Sequence, residues 1–356
     1  MDYNAIRRKS KAIMVGNVGI GGGYPISIQS MTNTKTDDHA ATLAQCQRLQ
    51  AAGCDIVRIT VPTPKSAECI KYIKKSGINM PVVADIHFDY LSAIAAAQCG
   101  ADKIRINPGN IGNKERIKEV VRVCTERKIP IRIGVNSGSL EEKILKKYGS
   151  PTAEALAESA LYHASLLEEL DFHDIAISVK SSDVSRMVDA TRIIAEKTEY
   201  PIHLGVTEAG AREAALIKSG IGIGTLLLSG IGDTVRVSLT DKPECEISAA
   251  KNILRAIGLC DGMDIISCPT CGRTSIDLVS LLAQFEQRVK SEGLSDKNVR
   301  VAIMGCAVNG PGEAREADIG IAGGVGEGLL FRNGKIVRKI KEDRLVDELI
   351  EEIKEF

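Results

Sequence analysis

Short runs rich in valine and isoleucine recur every 20 to 45 residues along the first 230 positions of the chain. Each is followed by a stretch whose apolar residues are spaced three and four apart beside charged ones, as a helix packed on a sheet requires. The runs predict strands at 25–32 (PISIQSMT), 54–60 (CDIVRIT), 81–87 (PVVADIH), 101–108 (ADKIRINP), 130–136 (PIRIGVN), 174–180 (DIAISVK), 201–207 (PIHLGVT) and 225–230 (TLLLSG). Near-continuous apolar runs suit parallel strands buried on both faces. Eight strand and helix units in a row close most naturally into a (β/α)8 TIM-type barrel. An open doubly wound sheet normally carries G-x-G-x-x-G after its first strand, and neither GNVGIGGGY nor GGVGEGL has that spacing. The glycines read instead as turns, with a hairpin near 12–24 closing one end of the barrel.

The pattern changes after a helix-like stretch at 244–258. GMDIISC, a helical run from Ile276 to Glu292, KNVRVAIMGC, the hairpin FRNGKIVRKI with its Asn-Gly turn and a terminal charged helix predict a small α+β domain. The expected division is a barrel over 1–258 and a second domain over 259–356.

The composition suits a globular protein: 356 residues, 44% hydrophobic, 26% charged, mean hydropathy −0.01. Basic and acidic residues balance at 46 each and aromatics are 3% with no tryptophan, which argues against a nucleic-acid binder. No run of 18 apolar residues predicts a membrane span, and Arg7 and Arg8 precede no convincing export signal. Ten scattered cysteines read as reduced thiols, and the expected location is the cytoplasm. The neutral total hides a gradient. Residues 1–150 hold 23 basic and 13 acidic side chains, and residues 151–356 hold 23 and 33. The first part is therefore where an anionic ligand is expected.

In a (β/α)8 barrel the working groups lie at the C-terminal ends of the strands. Those ends are polar here: Arg58 and Thr60, Asp85 and His87, Arg105 and Asn107, Arg132 and Asn136, Lys180, Thr207 and Glu208, then Arg236 and Ser238. Alternate residues of a strand face the same way, so Arg105 and Asn107 share a direction, as do Arg132, Gly134 and Asn136. Several arginines and a lysine at one mouth need anions to pair with, and the planar guanidinium fork suits phosphate. A diphosphate or bisphosphate ligand is the economical explanation. Lys180 alone also fits a Schiff-base aldolase, but its arginine neighbours favour phosphate binding. His87 and Glu208 are the candidate acid-base groups.

In the second domain CPTCGR sets Cys268 and Cys271 two residues apart, and Cys306 follows in GCAVNGPGE. Zinc would want a histidine, and all five histidines precede residue 204. An iron-sulfur cluster with a non-cysteine ligand on one iron is more natural, with Glu313 a carboxylate in reach. The other seven cysteines lie within or beside barrel elements and read as core thiols.

Together IQSMT, VRIT, ADIHF, RINPGN, RIGVNSGSLE, VTEAG, SCPTCGR and GCAVNGPGEA closely resemble the 4-hydroxy-3-methylbut-2-enyl diphosphate synthase family over the whole length. The barrel runs directly into the CPTC motif, so the chain resembles the short bacterial form. The resemblance implies one [4Fe-4S] cluster per chain held by Cys268, Cys271, Cys306 and Glu313, in a domain like the cluster domain of sulfite and nitrite reductases. It implies 2-C-methyl-D-erythritol 2,4-cyclodiphosphate as substrate, bound by Arg58, Arg105, Arg132, Asn136, Lys180, Thr207, Arg236 and Ser238, with Glu208 and His87 as catalytic groups. It also implies ferredoxin or flavodoxin as electron donor and a head-to-tail homodimer in which each cluster domain caps the partner's barrel.

Overall fold

The computed structural model describes residues 3–306 and 316–356, in two compact units, Met1–Ile257 and Gly258–Phe356. In the first, a hairpin of β1 (Ile13–Val15) and β2 (Val18–Ile20) precedes eight parallel strands. These are β3 (Ser27–Met31), β4 (Ile56–Thr60), β5 (Val82–Asp85), β6 (Lys103–Ile106), β7 (Ile131–Asn136), β8 (Ile175–Lys180), β9 (His203–Leu204) and β10 (Thr234–Val235). Each pairs with the next from β3 to β8, β10 lies between β9 and β3, and a bridge from Ile177 to Ile202 completes the ring. A helix follows every strand, several capped by an aspartate, asparagine or threonine side chain that accepts from a first-turn N–H, as Asp38, Asn113, Thr152 and Asp183 do.

The predicted run 225–230 is a correction. Residues 225–228 end the helix Arg212–Leu228, and the eighth strand is β10, six residues further on. A short apolar run reads equally as buried strand or buried helix, and here the last turn of a 17-residue helix supplies it, with Leu226 and Leu227 buried and Leu228 exposed. The expected hairpin is present and plugs the barrel. Ile13, Val15 and Ile20 pack on Ile56, Val83 and Ala176, inward-facing residues near the strand starts.

The second unit is a five-stranded mixed sheet. β11 (Asp264–Ser267), β12 (Arg300–Met304) and β13 (Ile319–Gly323) run parallel, and β14 (Glu327–Arg332) and β15 (Lys335–Lys341) return antiparallel. Asn333 and Gly334 hold the left-handed backbone of the β14–β15 turn. The helices Leu278–Ser291 and Leu345–Lys354 bury Phe285, Leu349 and Ile353 against Val301, Ile303 and Ile321 of the sheet. The strand β13 has no counterpart among the predicted elements. Among the described residues no helix is long and apolar enough to cross a membrane.

Candidate active site

A cavity of about 230 Å³ opens at the C-terminal ends of the barrel strands. Arg58, His87, Arg105, Asn136, Lys180, Thr207, Arg236 and Ser238, all expected from strand ends, line it together with Met31, Thr60, Asp85 and Ser178. The register explains the convergence. Asp85 pairs with Arg105, and Asn136 with Lys180, so neighbouring strands deliver polar residues to one level.

Two buried carboxylates organise the cations. Asp85 accepts from Arg105 Nη1 at 3.0 Å, and its other oxygen lies 3.6 Å from Arg58 Nε and 3.8 Å from His87 Nε2. Burial alone would raise the Asp85 pKa, but Arg58 and Arg105 outweigh it and hold the carboxyl well below its ordinary value. On the helix Pro243–Ala256, Glu246 accepts from Arg236 Nη2 at 3.1 Å and from Ser30 Oγ at 2.8 Å. Two inward glycines leave room for the cations. A Cβ on Gly134 would stand 2.3 Å from Arg105 Nε, and one on Gly205 would stand 2.8 Å from Lys180 Nζ. The Gly134 carbonyl also accepts from Arg105 Nη2 at 3.1 Å.

Burial lowers Arg58 to about 10, still protonated at neutral pH. Among the described residues Lys180 faces no carboxylate of its own: burial, then Arg236, Arg58 and Arg132, push its ammonium well below the ordinary 10.5. A phosphate anion beside it would reverse that shift. Binding of a dianionic ligand is therefore expected to take up protons, and affinity to rise as pH falls from 10.5 toward the lowered value of the free protein. Calorimetry in buffers of different ionisation enthalpy reads the uptake. A Lys180→Gln variant with undiminished uptake would assign it to another group.

Two expected site residues are not among those that line this cavity. Arg132 is wholly buried and does not line the cavity. It is the first inward residue of β7, below the level of Asn136. Glu208 is exposed, outside the cavity wall, with φ of 51°. A non-glycine residue in that conformation costs of order 1–3 kcal/mol and is seen most at functional loops. Met31 and Ser178 were not expected. Strand alternation could have found both, since Ser178 is two residues before Lys180 and Met31 ends β3.

In the second unit Cys268 follows β11 and Cys306 follows β12, its parallel neighbour, so both leave the same end of the sheet. Cys268 Sγ accepts from the Gly305 N–H at 3.2 Å, one residue before Cys306. Cys271 is exposed, and hydrogen bonds from Arg273 push its thiol down toward the thiolate form that binds metal. By contrast burial pushes Cys46, Cys54 and Cys124 up to about 12 and Cys69 to about 11, the behaviour of core thiols. Glu313 lies outside the described residues. Among those described, no three His, Cys, Asp or Glu side chains are gathered as a metal-holding group. The donor set nonetheless fits iron and sulfur: three thiols at or just beyond the ends of two adjacent strands, one of them with its pKa lowered by its neighbours. Metal binding itself draws such ligands together.

Residues 10–251 match the family model described as the GcpE TIM-barrel domain, and residues 264–355 match the GcpE protein C-terminal domain. A Clostridium perfringens protein named 4-hydroxy-3-methylbut-2-en-1-yl diphosphate synthase (flavodoxin) is 57% identical over 345 residues, 97% of this chain and 98% of that one. A Caldanaerobacter subterraneus protein of the same name is 55% identical over 352 residues, covering 99% and 98%. Among solved structures, Yersinia pestis dihydropteroate synthase is similar at a TM-score of 0.48 and 9% identity, over 69% of this chain and 98% of that one.

Proposed function

The chain belongs to the GcpE family of 4-hydroxy-3-methylbut-2-en-1-yl diphosphate synthases, enzymes of isoprenoid biosynthesis, and we propose that its barrel cavity binds the cyclic diphosphate 2-C-methyl-D-erythritol 2,4-cyclodiphosphate. The observation that carries this reading is the surplus of cations there: among the described residues Arg58, Arg105, Arg236 and Lys180 face only Asp85 and Glu246. A ligand with two phosphate charges balances them. Arg58, Arg105 and Arg236 clamp the phosphates, Lys180 adds a point charge, and Asn136, Thr207 and Ser238 donate or accept at the rim. His87, half exposed beside Asp85, is placed to hold a proton near the opening ring.

Cys268, Cys271 and Cys306, with Glu313, would hold a [4Fe-4S] cluster. When bound, such a cluster would pass on, one at a time, the two donor electrons that the reductive ring opening and dehydroxylation need, with one hydroxyl leaving as water. Flavodoxin, named for the relatives, is the proposed donor. A head-to-tail homodimer would cover each barrel mouth with the partner's cluster domain. The exposed Phe88 and Leu91, just after His87, leave an apolar rim suited to such a cover. A cytoplasmic location suits ten free thiols.

Glu208 is the proposed proton donor to the departing hydroxyl, held at the mouth in a strained backbone. A Glu208→Gln enzyme carrying its full iron complement is expected to lose about 100-fold or more in turnover, the lower end of the range for general acid catalysis. Affinity for the cyclic diphosphate, read by calorimetry, is expected to change little. Full turnover in that variant removes the role. Failure of the wild-type enzyme to bind the cyclic diphosphate overturns the substrate assignment itself.

A further inference from the structure

The segment after β7 leads from the cavity to the outside of the barrel, and little apolar packing holds it. Asn136, the last residue of β7, lines the cavity and pairs in register with Lys180. There the strand ends, and a short helical turn at Ser137–Ser139 leads through Leu140 and Glu141 into the helix Glu142–Tyr148. From Ser137 to Tyr148 only Leu140 is buried. A groove of about 870 Å³, lined in part by Ile117, Ile144 and Leu166, separates the segment from the helices Lys114–Arg127 and Ala153–Glu168.

Polar bonds hold the segment instead. Glu141 occupies the N-cap position of its helix, where serine, threonine, aspartate or asparagine would cap, yet its side chain makes no cap bond. The carboxylate reaches to the helix Ala153–Glu168. It accepts from Ser159 Oγ at 2.8 Å and contacts His163 Nε2, two residues one turn apart on the same face and each 1% exposed. His163 Nδ1 has no partner among the described residues, so Glu141 alone satisfies the buried ring. Burial by itself would raise the Glu141 carboxyl, but the hydrogen bonds from His163 and Ser159 hold it below its ordinary value. Between this bridge and the cavity the turn is tied twice more. Ser139 Oγ donates to the Asn136 carbonyl at 3.3 Å, and Asn107 Nδ2, just past β6, donates to the Ser139 carbonyl at 3.4 Å.

We infer that Glu141 is a positioning residue for ligand binding: its bridge to His163 and Ser159 fixes the turn 137–141 and so holds Asn136 in the geometry that the diphosphate meets. This role rests on the reading of the cavity as the cyclic diphosphate site, while Glu141 itself lies outside that cavity. Preorganisation is the physical reason. A turn fixed before the ligand arrives need not be ordered when it binds, so its entropy does not subtract from affinity. Without the bridge a buried imidazole is left unpaired and the turn loses its tie to the outer helix.

A double-mutant cycle on the holoenzyme tests the role, with affinity for the cyclic diphosphate read by calorimetry. Glu141→Ala is expected to weaken binding about tenfold, the effect of having to order one or two side chains on binding. In an Asn136→Ala background the same substitution is expected to cost no more than about twofold, because no Asn136 side chain is left to position. Losses that simply add overturn the role, as does unchanged affinity in Glu141→Ala. In turnover the loss is expected in KM and not in kcat, and a loss confined to kcat overturns it too. A wild-type enzyme that does not bind the cyclic diphosphate overturns the substrate reading and this role with it, whereas binding by the wild type beside additive losses overturns this role alone. Hydrogen exchange in the ligand-free enzyme reads the bridge directly. The Leu145 N–H donates to the Glu141 carbonyl at 3.0 Å, and it is expected to exchange faster in Glu141→Ala while the amides of β7 exchange as in the wild type. Equal exchange at Leu145 in both proteins counts against the bridge. Should that variant not fold, Ser159→Ala, which removes one of the two donors, is expected to speed the same exchange, and unchanged exchange there overturns the role.

Discussion

Replacing Cys306 with serine is expected to strip the iron from the protein and, with it, the turnover. Cys306 is the buried cysteine of the three, at the end of β12 and beside the Gly305 N–H that already donates to Cys268. Losing a group that only orients a metal ligand costs up to about 100-fold, so losing a ligand thiolate is expected to cost more than that. The measurement is iron and sulfide content after anaerobic reconstitution, expected at about four irons per chain for the wild type and far fewer for the variant. Turnover is read on the same samples. Cys54→Ala and Cys124→Ala are the controls, because both are buried thiols of the barrel unit whose pKa burial pushes up to about 12. A Cys306→Ser protein with full iron and full turnover would overturn the ligand set, and so would iron loss in both controls.

The second large effect is expected from Asp85, a residue that would touch little of the substrate. Its carboxylate stands between Arg58 and Arg105, all three largely buried. Asp85→Asn keeps the shape but leaves two buried guanidinium groups facing each other, and removing one partner of a buried ion pair typically costs about 3–5 kcal/mol. Denaturant unfolding reads that loss. The sign of the pH dependence follows from the lowered carboxyl pKa. The stabilisation is present above the unfolded value near 3.8 and is lost as pH falls through the still lower folded value. The wild type is therefore expected to shed part of its stability in acid that the variant no longer has to lose. Saturating cyclic diphosphate is expected to restore more stability to Asp85→Asn than to the wild type, since the ligand supplies the missing negative charge. Equal stabilisation of both proteins would mean that the diphosphate and Asp85 do not share these arginines.

The polar strand ends were legible because period-two alternation and the C-terminal rule act within one strand at a time. Arg58, Arg105, Asn136, Lys180 and Arg236 follow from that reading and line one cavity. The same reading placed Arg132 among them; it pairs with Arg105 in the strand register but is wholly buried and does not line the cavity wall. An inward residue four positions before Asn136 lies in a lower layer, and no local pattern reports which layer stays open. Asp85 was visible as a strand-end carboxylate, but its role as the shared partner of two arginines depends on the stagger of three adjacent strands.

The eighth strand marks the limit of local reading. TLLLSG has the composition of a strand, yet the helix from Arg212 continues through Leu228 and the chain saves its strand for the two residues before Arg236. A run of three leucines carries no period long enough to separate the two states. The repeat of strand and helix, the charge gradient and the spacing of the cysteines were thus determined by the sequence itself, because each is a property of neighbours along the chain. Which cations share a carboxylate, which are wholly buried, and that Cys268 and Cys306 leave the same end of one sheet were decided only by the tertiary structure. Those facts depend on strand register and on burial, which arise between segments far apart in the chain.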